Sequence, residues 1–195
     1  MTFILIPGLW DQKPLFGWFY YAVGKWWRLH GMRAIVCKMN WISIETYQKK
    51  LGRLEECIDL ERKQGREVVL VGVSAGGPMA ILGLSEFTSK VLGAISVNGL
   101  LALTAEDKKH KVYTKTSWFK AAHAVERLAS RLSEKQRARI LTIGPIKDDM
   151  IDLARQQIKG TRHVTISVRG HMPGVIMALL VHPLKIRRFA RRLHR

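Results

Sequence analysis

The chain has 195 residues, with 33 Lys and Arg against 15 Asp and Glu and a formal net charge of +18. That length suits one domain, and a composition 47% hydrophobic and 25% charged excludes a disordered or collagen-like chain. The longest uninterrupted apolar run, Val175 to Val181, is far short of the roughly 20 residues that cross a bilayer. Met1 to Ile6 has no basic leader and runs straight into Pro7-Gly8, so no signal peptide is read. Cys37 and Cys57 both sit in apolar-patterned segments, which argues against a disulfide framework and for a reducing cytoplasm. The positive charge predicts attraction to anions; a bias towards Lys and Arg across the whole source proteome explains it equally well.

Short apolar runs alternate with longer amphipathic stretches. Phe3-Ile4-Leu5-Ile6 reads as a strand buried on both faces. A helix is predicted from about Pro14 to His30, stopped by Gly31, and a second strand over 33–37. Ser43 is expected to cap a helix with Tyr47, Leu51, Leu54 and Ile58 on one face, ended by Gly65. A third strand covers 67–71, a helix follows Ser74, and a fourth strand runs from Val91 to Val97. The next 40 or so residues are basic, with one helix opened by Thr104 and Asp107 and another by Ser117. A fifth strand is expected from Arg139 to Ile143, ending at Gly144-Pro145, then a helix starting near Asp149 and a sixth strand over 163–168. The remainder reads as helical, with Pro173 and Pro183 suited to first turns. Six strands alternating with helices predict a single α/β domain with a parallel sheet covered on both faces.

Gly72-Val73-Ser74-Ala75-Gly76 supplies G-x-S-x-G between a predicted strand and a predicted helix. Small residues two before and two after the serine allow a turn too tight for ordinary dihedrals. The following helix then points its N–H groups at developing negative charge. A serine nucleophile needs a base and an orienting carboxylate. Asp148 and Asp149 follow the fifth strand and His171 follows the sixth, so all the candidate groups follow strand ends, where open parallel sheets gather ligands.

With these residues in hand, the sequence resembles the α/β-hydrolase superfamily over residues 2–189. Ile4-Leu5-Ile6-Pro7-Gly8-Leu9-Trp10 resembles the oxyanion-strand motif, with Pro7 where the family usually has histidine, and Gly170-His171 resembles the C-terminal block. The resemblance implies a minimal fold with a six-stranded parallel sheet, ordered second, first, third, fourth, fifth, sixth. It implies Ser74 as nucleophile, His171 as general base and acid, and Asp148 as the orienting acid, with Asp149 as the alternative. The Leu9 and Ala75 N–H groups would form the oxyanion hole. Residues 100–138 are expected to form a basic, helical, cap-like segment, short for a real cap, so that the fold has little or no cap.

Among the other histidines, His30, His110, His163 and His194 are expected near helix ends or in basic segments, His123 on a helix and His182 at a joint. Trp10, Phe16 and Trp18 read either as packing aromatics or as walls of an acyl pocket, Trp10 being the best pocket candidate. The basic end from His182 to Arg195 reads as a docked helix with a solvated outer side, or as a surface resting on anionic lipid. No spaced Cys/His ligand set and no phosphate-binding loop occurs, so neither metal nor organic cofactor is expected. The expectation is a serine hydrolase of small-molecule carboxylic esters, on lipid or anionic substrates. The rival is an inactive protein of the same fold that binds nucleic acid or an anionic membrane. Cations spread along the whole chain, and the absence of a nucleic-acid-reading motif, weigh against nucleic acid.

Overall fold

The structure is a computed structural model and describes residues 1–194. Its six strands are β1 (Thr2–Ile6), β2 (Arg33–Val36), β3 (Val68–Val73), β4 (Val91–Val97), β5 (Ile140–Lys147) and β6 (Arg162–Arg169). They form one sheet in the order β2-β1-β3-β4-β5-β6, with every neighbouring pair parallel. The eight α-helices of the described residues are α1 (Pro14–Leu29), α2 (Tyr47–Lys63), α3 (Gly76–Glu86), α4 (Ala105–Lys109), α5 (Ser117–Ala129), α6 (Glu134–Ala138), α7 (His171–Ile176) and α8 (Pro183–Leu193).

The two sides of the sheet bury different helices. Tyr20, Val23 and Trp27 of α1 share one core with Val175 of α7 and Ile186 and Phe189 of α8. Leu54 and Ile58 of α2, Met79 and Ile81 of α3, and Ala121 and Val125 of α5 fill the other. β1 and β3 are buried throughout, which is why they read as unbroken apolar runs rather than as alternations. The chain proceeds one way from β1 to β2 and the other way from β3 onward. The loops after β1 and β3 therefore part at a switch point, and a crevice opens between them.

Three local expectations are corrected. Thr46, not Ser43, caps α2 by accepting from the Lys49 N–H; the Ser43 hydroxyl instead accepts from Lys50 Nζ. β5 runs on through Gly144-Pro145 to Lys147. Its pairing with β4 ends at Ile143, so the N–H that Pro145 lacks is not needed on that side, while pairing with β6 continues beyond it. No α-helix begins at Asp149: the Met150 and Ile151 N–H groups turn back onto the Asp148 carboxylate, and a short 3₁₀ turn, Leu153–Gln156, follows. α5 opens at Ser117, as expected, with Thr116 as its cap. None of the described helices is long and apolar enough to cross a membrane.

Candidate active site

Ser74 sits on the turn between β3 and α3 with φ of +51°, in the left-handed region that side chains rarely adopt. The turn explains its glycines. A Cβ on Gly72 would lie 2.1 Å from the Gly76 carbonyl oxygen, and one on Gly76 would lie 2.2 Å from that of Ile6. The serine N–H is fixed by the Val97 carbonyl at 2.8 Å, which locks the turn to β4.

His171 follows β6, after Gly170 turns the chain at φ of +96°. Its Nε2 lies 3.0 Å from Ser74 Oγ and its Nδ1 2.9 Å from Asp148 Oδ2. An ionised carboxylate only accepts, so the Asp148 contact places the ring proton on Nδ1 and leaves Nε2 free to accept from the serine hydroxyl. The Asp148 side chain is fully buried, and four donors hold it. Met150 and Ile151 N–H reach Oδ1, while Gln156 Nε2 and the histidine ring reach Oδ2.

Asp149 takes a different position. Its Oδ1 accepts the backbone N–H of His171 at 2.6 Å. That bond, the first of several causes, holds the Asp149 carboxyl below the usual aspartate range. On the other side of the histidine, Asn98 Nδ2 donates to the His171 carbonyl at 2.8 Å. Asn98, like Ser74, has a left-handed φ, +49°. Gln156 and Asn98 carry no recognisable sequence signal, since each is a single polar residue whose partner is remote in the chain.

The loop after β1 crosses directly over Ser74: a Cβ on Gly8 would lie 3.1 Å from the serine Cβ. Asp11, buried in this loop, accepts from the Met39 and Asn40 N–H groups at 2.6 and 2.7 Å. Trp41 Nε1 donates to the Pro7 carbonyl at 2.9 Å, and Tyr20 accepts the Gly8 N–H at 3.2 Å. Burial pushes the Tyr20 phenol well above its ordinary value, so it stays a neutral partner. Among the described residues, no protein acceptor takes the Leu9 or Ala75 N–H. Both residues face the same cleft as Ser74.

That cleft has a volume of about 830 Å³. Leu9, Trp10, Trp41, Ile42 and Ile44, and from farther along the chain Val112, Tyr113 and Trp118, line it. Lys111 and Lys115 are also in the lining, as is Arg155, which is paired with Asp107. Within the basic segment 100–138, α5 packs into the sheet's own helical layer, and residues 111–118, Thr114 apart, line the cleft. Trp10 lines the cleft with Phe16 packed on it at 6.0 Å, whereas Trp18 points outwards and is 67% exposed. No group of three or more His, Cys, Asp or Glu side chains among the described residues is arranged to hold a metal.

Comparison with known proteins places this architecture. No family model and no curated protein matches the sequence. Solved structures do match over nearly the whole chain. One, from a study of the metagenome-derived lipolytic enzymes LipS and LipT, has a TM-score of 0.69 at 10% identity, covering 99% of this chain and 93% of its own. The pyrethroid hydrolase PytH has a TM-score of 0.67 at 16% identity, with 98% of each chain covered. An α/β-hydrolase enzyme from a metagenome of lagoon sediments at Mar Chica, Morocco, has a TM-score of 0.57 at 16% identity, covering 98% of this chain and 89% of its own. The chain thus has the α/β-hydrolase fold, in a minimal six-stranded form.

Proposed function

We propose that this protein is a serine hydrolase that cleaves carboxylic esters through an acyl-enzyme on Ser74. The observation that carries this reading is the unbroken chain Asp148–His171–Ser74, at 2.9 and 3.0 Å, with Ser74 opening onto a mainly apolar cleft. The Ser74 hydroxyl attacks the ester carbonyl as His171 Nε2 takes its proton, and Asp148 keeps the ring in the required tautomer and stabilises the imidazolium. The Leu9 and Ala75 N–H groups, unclaimed among the described residues, stabilise the tetrahedral oxyanion. The protonated histidine then delivers its proton to the leaving alkoxide. Water, activated by the same ring, releases the acid.

The cleft supports a substrate with an apolar acyl part lying along Trp10, Ile42 and Ile44. Lys111 and Lys115 favour an anionic group at the other end, as on an acidic lipid ester. Residues 111–118 serve as part of the lining of this site.

Labelling with a fluorophosphonate probe tests the reading, together with turnover of 4-nitrophenyl esters from acetate to palmitate. The native chain is expected to label and turn over, and Ser74→Ala is expected to lose labelling and about 10⁴-fold or more of kcat. A folded native sample that neither labels nor hydrolyses any ester overturns the proposal. Salt-sensitive RNA binding by the same sample would instead favour a binding protein built on this fold.

A further inference from the structure

Cations are spread along the whole chain, but acids are not. Residues 12–44 contain no Asp or Glu, and neither do residues 153–195. These two stretches supply α1, α7 and α8, which pack together on one side of the sheet. Apart from the buried Asp11, every acidic residue lies between Glu45 and Asp152, the part of the chain that supplies the helices of the other side. One face of the molecule is thereby built from acid-free sequence.

The same face carries an unpartnered apolar stripe. Along α1, Leu15, Trp18, Ala22, Trp26 and Leu29 recur at helical spacing on the side opposite the buried Tyr20, Val23 and Trp27. Leu15 is 72% exposed and Leu29 79% exposed, far more than packing on the sheet would leave. The stripe continues onto the neighbouring segment, because Trp26 Nε1 donates to the Leu180 carbonyl at 2.8 Å beside exposed Val181 and Leu184. Cations rim it: Lys25 and Arg28 on α1, and Lys185, Arg188, Arg191 and Arg192 on the outer side of α8. The acid nearest this rim in the hydrogen-bond network is Glu67, which pairs with His194 past the end of α8.

We propose that this face is a docking surface for an anionic lipid bilayer. Exposed Trp, Tyr and Leu side chains ringed by Lys and Arg match the interfacial layer of a membrane, where amphipathic aromatics settle at head-group depth and cations meet lipid phosphates. A second copy of this chain is the poorer occupant, since it would set two acid-free, cation-rimmed surfaces against each other. The face also reaches the cleft: Phe16, in the first turn of α1, packs on Trp10 in the cleft wall. The docking claim stands without the hydrolase reading, and Ser74→Ala is expected to bind vesicles as the native chain does.

Sedimentation with phosphatidylcholine vesicles, with and without 30% phosphatidylglycerol, tests it on the full chain. The native protein is expected to bind the anionic vesicles and not the neutral ones. Brominated lipid is expected to quench its tryptophan emission, a readout that needs no variant. The Leu15→Ser, Trp18→Ser, Leu29→Ser triple and the Arg188→Gln, Arg191→Gln, Arg192→Gln triple should each lose about 10-fold or more of the partitioning. A Lys120→Gln, Arg127→Gln, Arg131→Gln control on the other side should lose less than about threefold by the same reasoning. No binding to anionic vesicles overturns the proposal, as does an equal loss in the control triple. A concentration-dependent dimer abolished by the apolar triple, without vesicle binding, also overturns it.

Discussion

Asp149 and His171 are joined through the main chain: the aspartate Oδ1 accepts the histidine backbone N–H at 2.6 Å, while its neighbour Asp148 holds the imidazole. Two consecutive carboxylates thus grip one residue at two points. Both sit past the end of β5, at the C-terminal edge of the sheet, and His171 sits past the end of the adjacent β6.

This division of labour separates the two variants. Asp148→Asn should lower kcat by about 10³–10⁴-fold, because an amide that donates to Nδ1 imposes the wrong ring tautomer. Asp149→Asn keeps a carbonyl oxygen that can accept from the His171 N–H and should cost about 10-fold or less. Steady-state kinetics on one soluble ester checks both. Equal losses would contradict the assignment.

The turn at Ser74 makes a steric prediction. A methyl group on Gly72 or Gly76 would meet carbonyl oxygens at 2.1 and 2.2 Å, and those oxygens belong to backbone that cannot step aside. Gly72→Ala and Gly76→Ala should each destabilise the chain by about 3 kcal/mol or more. Gly52→Ala, where an added Cβ meets nothing within 4 Å on an α2 helix, should be neutral or slightly stabilising. Thermal melts of the three variants distinguish these outcomes.

What the sequence made legible follows from burial. Strands buried on both faces appear as apolar runs, so β1 and β3 could be read in advance, while the strand order followed only from the resemblance to the α/β-hydrolase superfamily. Ser74 could be found because the steric demand of its turn writes glycines at fixed offsets. Asn98 and Gln156 could not, since their partners His171 and Asp148 come from other strand ends and leave no local pattern. The choice between Ser43 and Thr46 as cap was equally hidden: both are hydroxyl residues just before the same apolar stripe. Only the buried Lys50 ammonium, which takes the Ser43 oxygen, separates them.

Asp11 is the hinge pin between the loop over Ser74 and the chain after β2. With one oxygen taking two N–H groups, Asp11→Ala would leave the buried Met39 N–H and the half-buried Asn40 N–H without that acceptor, at a cost of about 2 kcal/mol. It should also loosen the Leu9 N–H in the proposed oxyanion hole. The expected result is a kcat reduced about 10-fold with little change in KM, because the loss falls on the transition state. A change confined to KM would contradict that role.

Far from the site, Glu61 ties β1, β2 and β3 together. Its carboxylate accepts from Thr2 Oγ1 and from the guanidinium groups of Arg33 and Arg66. The Arg33 hydrogen bond is the largest cause that pulls its pKa from 4.5 down to about 2. A carboxyl group with a depressed folded value stabilises the fold fully above its unfolded value. That contribution fades as pH falls from about 4.5 towards 2. The native chain should therefore lose on the order of 2 kcal/mol from this group across that window. Glu61→Gln should start less stable at pH 7 and show a flatter dependence below pH 5. Urea melts of both chains from pH 7 to pH 3 make the comparison, and because both carry the same self-repulsion from their other cations, the difference between the curves isolates Glu61. Parallel curves would mean that the three-strand tie contributes nothing that protonation can remove.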